Sequence, residues 1–420
     1  MKQPLIYIVT LTLMFLTACS FIANASSSDQ KRDTLQPEYE IDMATDITEF
    51  QAYHMTIHYP QTPNNQIDQT IIDYKNEKKA EFKQKSYQAS RNQDAEKVHE
   101  LHIDFDILHQ DEYFFVVRFT ETMDTGDGDP ITTETIMNFG KEQGARLEIK
   151  DFFKNEQSEW IDELKGKQVA WNGQGFTVYQ DGDERVIGEK AMKQELKDEY
   201  AELTEQTQEP SNQTNMEKPE SLESFSSNAS AKRTMEEKDG KKRVALTFEN
   251  GPHPKVTPDL LNVLEKHQVE ATFFMLGKRV QYYPEVAQAV SQAGHEIGNH
   301  TWDHPRMSRL TSDEIDRQIA ATQKVIGEAV GYKPSLIRLP FGEQITYNQE
   351  LQSVGYSVGV EDEKNKQAFE IAQTVLSEVE DGSVIVLSDL HPSVIKATDL
   401  IIESLNEQGY EFVTVSEMSK

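Results

Sequence analysis

From Lys241 onward, short apolar runs alternate with longer amphipathic segments, and this alternation is the strongest constraint on the fold. Val244–Phe248 reads as a buried strand, Pro258–His267 as a helix and Ala271–Leu276 as a second strand. Glu285–Gln292 is a helix ended by Gly294, and Glu296–His300 is a short strand. The helix Asp313–Ala329 leads to a strand at Leu336–Pro340, and later strands at Ser383–Leu387 and Phe412–Val415 flank a helix at Val394–Asn406. Repeated strand–helix units predict an α/β fold with a parallel sheet or barrel, whose active site lies where strand C-termini meet their loops. The polar motifs of this region fall at those strand ends.

The motifs are LTFENGPH at the end of the first strand, ATFFMLG on the second and GHEIGNHTWDHP after the third. IRLPFG closes the fourth, and GSVIVLSDLHP stands near the end. In this order and spacing they resemble the polysaccharide deacetylases, the NodB homology domain of carbohydrate esterase family 4. The resemblance covers residues 241–420. It implies a distorted (β/α) barrel and metal-dependent removal of N- or O-acetyl groups from cell-envelope glycan.

Such a reaction needs a divalent metal to polarise the acetyl carbonyl and activate water. It also needs a carboxylate to take the water's proton and an acid to protonate the leaving amine. In the family, one Asp and two His hold the metal, a set borne by zinc and similar ions. His300 and His304 supply the histidines; four residues apart, on a helical turn both face one ion. His295 is expected to have a structural role. The family's first motif carries two successive aspartates, the base and then a metal ligand. The matching residues here are Glu249 and Asn250. Glu249 keeps the charge of a base, but its extra methylene moves the carboxylate by about 1 Å, which can cost about a hundredfold in rate. Asn250 offers a neutral carbonyl oxygen, so the site is expected to hold its metal, zinc by this ligand chemistry, more weakly.

The late motif departs further. Family members carry LHD, whose His is the general acid; this chain has Leu387-Ser388-Asp389. Losing a general acid typically costs about 10²–10⁴ in rate. His391 can substitute only if its loop folds back, and Asp389 keeps its family position. The segment that in the family supplies an Asp partner and a Trp reads VGVEDEKNKQ over 358–367. Arg338 matches the arginine that orients the base and is expected to hold Glu249. Pro340, Phe341 and Gly342 form the expected substrate-binding turn, with Phe341 in place of a groove-lining ring.

The rest of the chain sets the address and the partners. Lys2 precedes an apolar run from Leu5 to Leu16, which suits a signal-peptide core and is too short to span a bilayer. It ends in Leu16-Thr17-Ala18-Cys19, which resembles the lipobox of bacterial lipoproteins and implies lipidation at Cys19; the rival is an ordinary secretory signal. Cys19 is the single cysteine, so the mature chain has no disulfide and no Cys-ligated metal. The expected location is the outer face of the cell membrane, reached through the lipid anchor alone. Seventy-two acidic against forty-two basic residues give a charge of −30, which disfavours nucleic acid and anionic lipid as partners; the family resemblance implies acetylated cell-wall glycan as the partner.

Composition divides the chain into a leader at 1–18, a Ser/Asn-rich tether at 19–36, a domain at 37–203, a linker at 204–240 and the deacetylase-like domain at 241–420. In the domain at 37–203, Tyr53, Met55, Ile57 and Tyr59 alternate as a strand ending at Pro60. Ile67, Ile71 and Tyr74 mark a helix running into a Lys-rich stretch. Leu101–Ile107 and Tyr113–Phe119 predict a hairpin, and Ile131–Phe139 and Phe176–Tyr179 further strands, which together make a smaller α+β domain. The turn from Asp124 to Asp129 can be an oxygen-ligand calcium site or an acidic hairpin turn; its spacing is not that of an EF-hand. The order of elements resembles the extracytoplasmic domain of some peptidoglycan deacetylases and lysozyme-sensing anti-sigma factors, which implies binding at the envelope. Two readings of the whole remain open: an active, modified deacetylase, and a catalytically degenerate one that binds glycan.

Overall fold

The computed structural model describes residues 39–50, 52–90, 98–126, 129–180, 183–201, 242–348, 350–360 and 363–419. The leader, Cys19, the tether and the linker at 204–240 lie outside the described residues. The first domain has a six-stranded sheet in sequential order: β1 (Asp42–Glu49), β2 (Tyr53–Gln61), β3 (His99–Gln110), β4 (Phe114–Asp124), β5 (Ile131–Gly140) and β6 (Arg146–Leu147). β2 and β3 are parallel, and the long helix Asn65–Ser90 makes their crossover. Its apolar stripe, Ile67, Ile71, Tyr74 and Phe82, packs on Met55, Ile57, Leu101 and Phe105 of the sheet. The predicted hairpin is β3 and β4, paired antiparallel from Glu100↔Asp124 to Gln110↔Phe115. β2 continues one residue past Pro60, where β3 no longer pairs and only β1 remains beside it; a strand with one neighbour tolerates a missing donor. A three-stranded sheet of β7 (Gln168–Trp171), β8 (Gly175–Gln180) and β9 (Asp183–Gly188) packs on a separate aromatic core around Phe152, Trp171 and Phe176.

The second domain is a curled parallel sheet. Its strands are β10 (Lys242–Glu249), β11 (Thr272–Met275), β12 (Glu296–Asn299), β13 (Leu336–Ile337), β14 (Gln352–Ser353), β15 (Ser383–Ser388) and β16 (Tyr410–Val413). The order is β14-β13-β12-β11-β10-β15, with β16 beside the first half of β10. β10 pairs with β11, β15 and β16, and its alternate residues Val244, Leu246 and Phe248 pack against the helix Val256–His267 and the helix Pro392–Glu407. Past β14 the chain reaches the opposite edge, where Val358 bridges Ile385 of β15. The two ends of the sheet therefore meet through one segment, which makes the expected barrel distorted rather than open.

The described residues from Glu40 onward form one compact unit, and the first domain sits against the barrel face that holds the strand C-termini. Arg279, fully buried, donates to the Met43 carbonyl at 3.1 Å and to Thr45 Oγ1 at 2.8 Å. Tyr283 Oη accepts from the Met43 amide at 2.7 Å. Lys278 pairs with Asp104, and Lys364 with the buried Asp46. The acidic turn after β4 belongs to this junction. Asp124 accepts from Gly126 N at 2.7 Å, and its other oxygen faces the Arg309 guanidinium at 3.0 Å. A carboxylate so engaged supports the hairpin reading over calcium; Asp127 and Gly128 lie outside the described residues.

Candidate active site

Glu249 ends β10 and pairs with Phe274 on one side and Ser388 on the other. The even residues of β10 face the helices, so Thr247 and Glu249 face the barrel interior. Arg338 follows β13 directly and reaches across to both: its Nη1 is 2.8 Å from Thr247 Oγ1 and 3.3 Å from Glu249 Oε2. The guanidinium also donates to the carbonyls of Val354 and Gly355 and lies 4.2 Å from the centre of the Phe274 ring. Four hydrogen bonds from one rigid fork hold this cation in one orientation. It holds the Glu249 carboxylate as the sequence predicts.

Asn250 has φ 77°, a left-handed conformation that Asn tolerates better than most residues. Its amide nitrogen donates to Ser388 Oγ at 3.4 Å, while its carbonyl oxygen is buried without a partner. Gly251 is required next to it, because a Cβ there would lie 2.0 Å from the Asp389 carboxylate. Asp389 in turn accepts from Thr257 Oγ1 at 2.7 Å and donates its amide to the Glu249 carbonyl at 3.2 Å. Burial raises its carboxyl to about 6, against the hydrogen bond from Thr257. Asp389 thus fixes the Glu249–Gly251 turn.

His300 and His304 differ in setting from the expectation. The segment 300–304 is a loop, not a helical turn, with Thr301 at φ 69° and His304 at φ 61°. A β-branched residue at positive φ is strained, and here the surroundings impose it. Asn299 Oδ1 accepts the Thr301 amide, Gln318 Oε1 accepts the Trp302 amide, and Gly277 and Lys278 donate to the carbonyls of Thr301 and Trp302. The loop still brings the two imidazoles together, ring centres 5.0 Å apart. His300 Nδ1 lies 2.8 Å from the Arg338 carbonyl. A carbonyl only accepts, so the proton is on Nδ1 and the Nε2 lone pair is free. Nε2 is buried with no partner, the arrangement in which a histidine ligates a metal. Burial keeps both rings neutral, and for His304 the neighbouring His300, His58 and His102 add to the effect.

The unpartnered Asn250 Oδ1 and His300 Nε2 are therefore acceptors suited to one cation, with His304 beside them. The set is poorer than the family's, as expected. Among the described residues no group of three or more His, Cys, Asp or Glu is arranged to hold an ion. The donors are two imidazoles and an amide carbonyl.

His304 also carries a contact that the barrel motifs do not foretell. Thr56 of β2 lies 3.3 Å from its Nδ1 and donates to its carbonyl, also at 3.3 Å. His58 Nε2 donates to the Asp303 carbonyl at 2.9 Å. Of the predicted substrate-binding turn, Pro340 is buried and Phe341 adopts φ 58°. The Phe341 ring packs on His304 and on His54 of the first domain, and Gly342 follows at φ 65° with open space around its Cα. His295 stands apart from the site, buried, and accepts from the Ala271 amide at 3.3 Å, the structural role expected of it.

Two further carboxyls line the cavity beside Glu249, and neither was anticipated. Glu363 lies in the segment 358–367 and is buried; its Oε2 accepts the Ser388 amide at 2.9 Å. Desolvation and the nearby Glu249 raise it to about 8. Glu49, at the end of β1, overhangs the same cavity, as does His391. Glu363 lies in the segment where the family supplies an Asp partner, but in this sequence that segment is a run of charges that reads as a solvated loop.

The distorted parallel barrel thus carries at its strand ends a carboxylate held by arginine, two neutral histidines and a buried amide oxygen without a hydrogen-bond partner. The family model for polysaccharide deacetylase matches residues 236–361. The peptidoglycan-N-acetylmuramic acid deacetylase PdaC of Bacillus subtilis is 27% identical over 90% of this chain and 88% of its own. A peptidoglycan-N-acetylglucosamine deacetylase of Bacillus cereus is 33% identical over 44% of this chain and 92% of its own. The solved structure of PdaC from Bacillus subtilis is 38% identical, covers 43% of this chain and 90% of that one, and superposes with a TM-score of 0.41. The chain belongs to the polysaccharide deacetylase family.

Proposed function

We propose that the protein is a metal-dependent deacetylase of acetylated cell-wall glycan, hydrolysing the acetyl amide of a peptidoglycan-type sugar. The observation that carries this is that the ends of β10 and β12, on either side of β11, present the Arg338-held Glu249 together with two partnerless acceptors, Asn250 Oδ1 and His300 Nε2. Asn250, His300 and His304 would hold a divalent metal, which supplies electrophilic polarisation of the acetyl carbonyl. Glu249 takes a proton from the attacking water, and Arg338 keeps its carboxylate aimed into the cavity. The names of the relatives support a peptidoglycan substrate.

A second reading is favoured by Asn250 and Ser388, which replace an anionic ligand and an acid: a degenerate enzyme that binds glycan without cleaving it. Metal analysis of the purified protein, with acetate release from peptidoglycan and chitooligosaccharide, separates the two. Bound metal and released acetate support the first reading. Glycan binding with neither leaves only the second. We also infer lipid anchoring at Cys19 outside the membrane; incorporation of a labelled fatty acid, lost in Cys19→Ala, tests it.

A further inference from the structure

Glu363 stands where the reaction lacks a proton donor. The family's imidazole position is Ser388, whose hydroxyl is far too weak an acid to serve at neutral pH. Glu363 reaches that position from a different segment. The short turn Glu363–Asn365 follows the strand-like bridge at Val358, and the carboxyl lies against β15, accepting the Ser388 amide through Oε2. It lines the same cavity as Glu249, Asn250 and Ser388. The turn is held from outside as well, because Lys364 pairs with the buried Asp46 of β1.

We propose that Glu363 is the general acid of this enzyme, replacing the histidine missing at position 388. The assignment rests on the deacetylase reading above. As Glu249 takes one proton from water, the new C–O bond forms at the acetyl carbon. The C–N bond then breaks while the Glu363 carboxyl passes its proton to the leaving nitrogen. Acetic acid and the free amine depart, and solvent returns the proton from Glu249 to Glu363. One water is consumed and no other reactant is needed.

The surroundings suit a donor. Glu249 from β10 and Asp389 after β15 both disfavour a second negative charge, and the burial of the carboxyl acts in the same direction. Lys366 on its own segment and the Ser388 amide oppose them without prevailing. The competing donors are less well placed. His391, the residue before the helix Pro392–Glu407, also lines the cavity, whereas Glu363 is tied to position 388 by the Ser388 amide. Glu49 stands at the exposed mouth of the cavity, where desolvation and Glu249 raise it to about 7; it is the rival donor that Glu49→Gln tests.

The test uses the full chain, with Glu363→Gln keeping the acceptor for Ser388 N but carrying no acidic proton. On an N-acetyl glycan, kcat is expected to fall roughly 10²–10⁴-fold. On an aryl acetate, whose phenolate leaves unaided, it is expected to change less than about tenfold. The loss of wild-type rate as pH rises through about 8 should vanish in the variant. Adding Ser388→His to Glu363→Gln should restore amide cleavage, and carboxyl NMR should show Glu363 titrating far above an ordinary glutamate. Equal losses on amide and ester, an unchanged amide rate, or an alkaline limb removed by Glu49→Gln or His391→Asn instead would overturn the assignment. A wild-type protein that cleaves neither substrate overturns the deacetylase reading and this role together. An active wild type with an unaffected Glu363→Gln overturns this role alone.

Discussion

The imidazole of His54 lies flat on Phe341, ring centroids 4.2 Å apart and planes 13° from parallel. A residue of β2 thus covers the ring that the family pattern places in the glycan groove, and the first domain forms one wall of the site. Offset aromatic pairs contribute about 0.5–1.5 kcal/mol beyond their buried area. A double-mutant cycle of His54→Ala and Phe341→Ala, read by denaturant unfolding, should give a coupling of about 1 kcal/mol. Additive effects would mean that the stacking contributes nothing to the junction.

Arg338 is almost fully buried and its charge is matched by Glu249. Glu249→Gln keeps the shape and removes the base, so amide cleavage should be abolished while secondary structure is unchanged. Arg338→Met removes the cation that orients it. Breaking a buried pair from one side costs about 3–5 kcal/mol, and at the part-exposed Glu249 the low end applies. Both variants are expected to lose activity and to melt at a lower temperature, because Glu249→Gln also leaves the buried Arg338 cation without its counter-charge.

Much of this site was legible in the sequence because its parts are local. Glu249, Asn250, His300 and Arg338 each close a short apolar strand, and an apolar run followed by a polar turn can be read without a partner. The helix Asn65–Ser90 was legible for a similar reason, since Ile67, Ile71 and Tyr74 repeat at helical spacing. β1 was not, because DMATDITE alternates too weakly to mark a strand. Glu363 was hidden for a different reason: in VEDEKNK nothing distinguishes a buried carboxyl from its solvated neighbours, and only the barrel's closure at Val358 brings it to Ser388. The loop at 300–304 was read as a helical turn from the spacing of its histidines, but the bonds from Asn299 and Gln318 hold it in positive φ instead. Contacts such as Thr56 to His304 have no local signature at all.

Of the three residues proposed to hold a metal, Asn250 is the weak one. Its carbonyl oxygen is already placed, buried and unpartnered, so Asn250→Asp changes charge more than geometry. An anionic oxygen should raise divalent-metal affinity at least about tenfold, or ~1.4 kcal/mol. Competition with a chromophoric chelator measures this without reference to activity. The Ser388 hydroxyl can donate to the new carboxylate, so the bond to that residue need not be lost. No gain in affinity would place the metal elsewhere.

The junction of the two domains is expected to loosen in acid, and His58 gives the sign. His58 is wholly buried between Thr45 and the Asp303 carbonyl. Desolvation, with Lys278 and His102 nearby, lowers it from 6.5 to about 4. Above pH 6.5 it is neutral whether folded or unfolded, so it has no pH-dependent effect there. Between 6.5 and 4 only the unfolded chain takes up the proton, so stability falls as pH drops through that window. The full shift corresponds to about 3 kcal/mol. His102 works in the opposite direction, because its pairing with Asp303 outweighs its burial and raises its pKa; that contribution persists in acid and fades as pH rises. His58→Gln can still donate to the Asp303 carbonyl but does not titrate. Chemical unfolding of the wild type should therefore lose stability between pH 6.5 and 4, and the variant should lose markedly less. Hydrogen exchange should locate the acid-labile amides in β2 and the 300–304 loop. Parallel stability curves for the two proteins would remove His58 from this role.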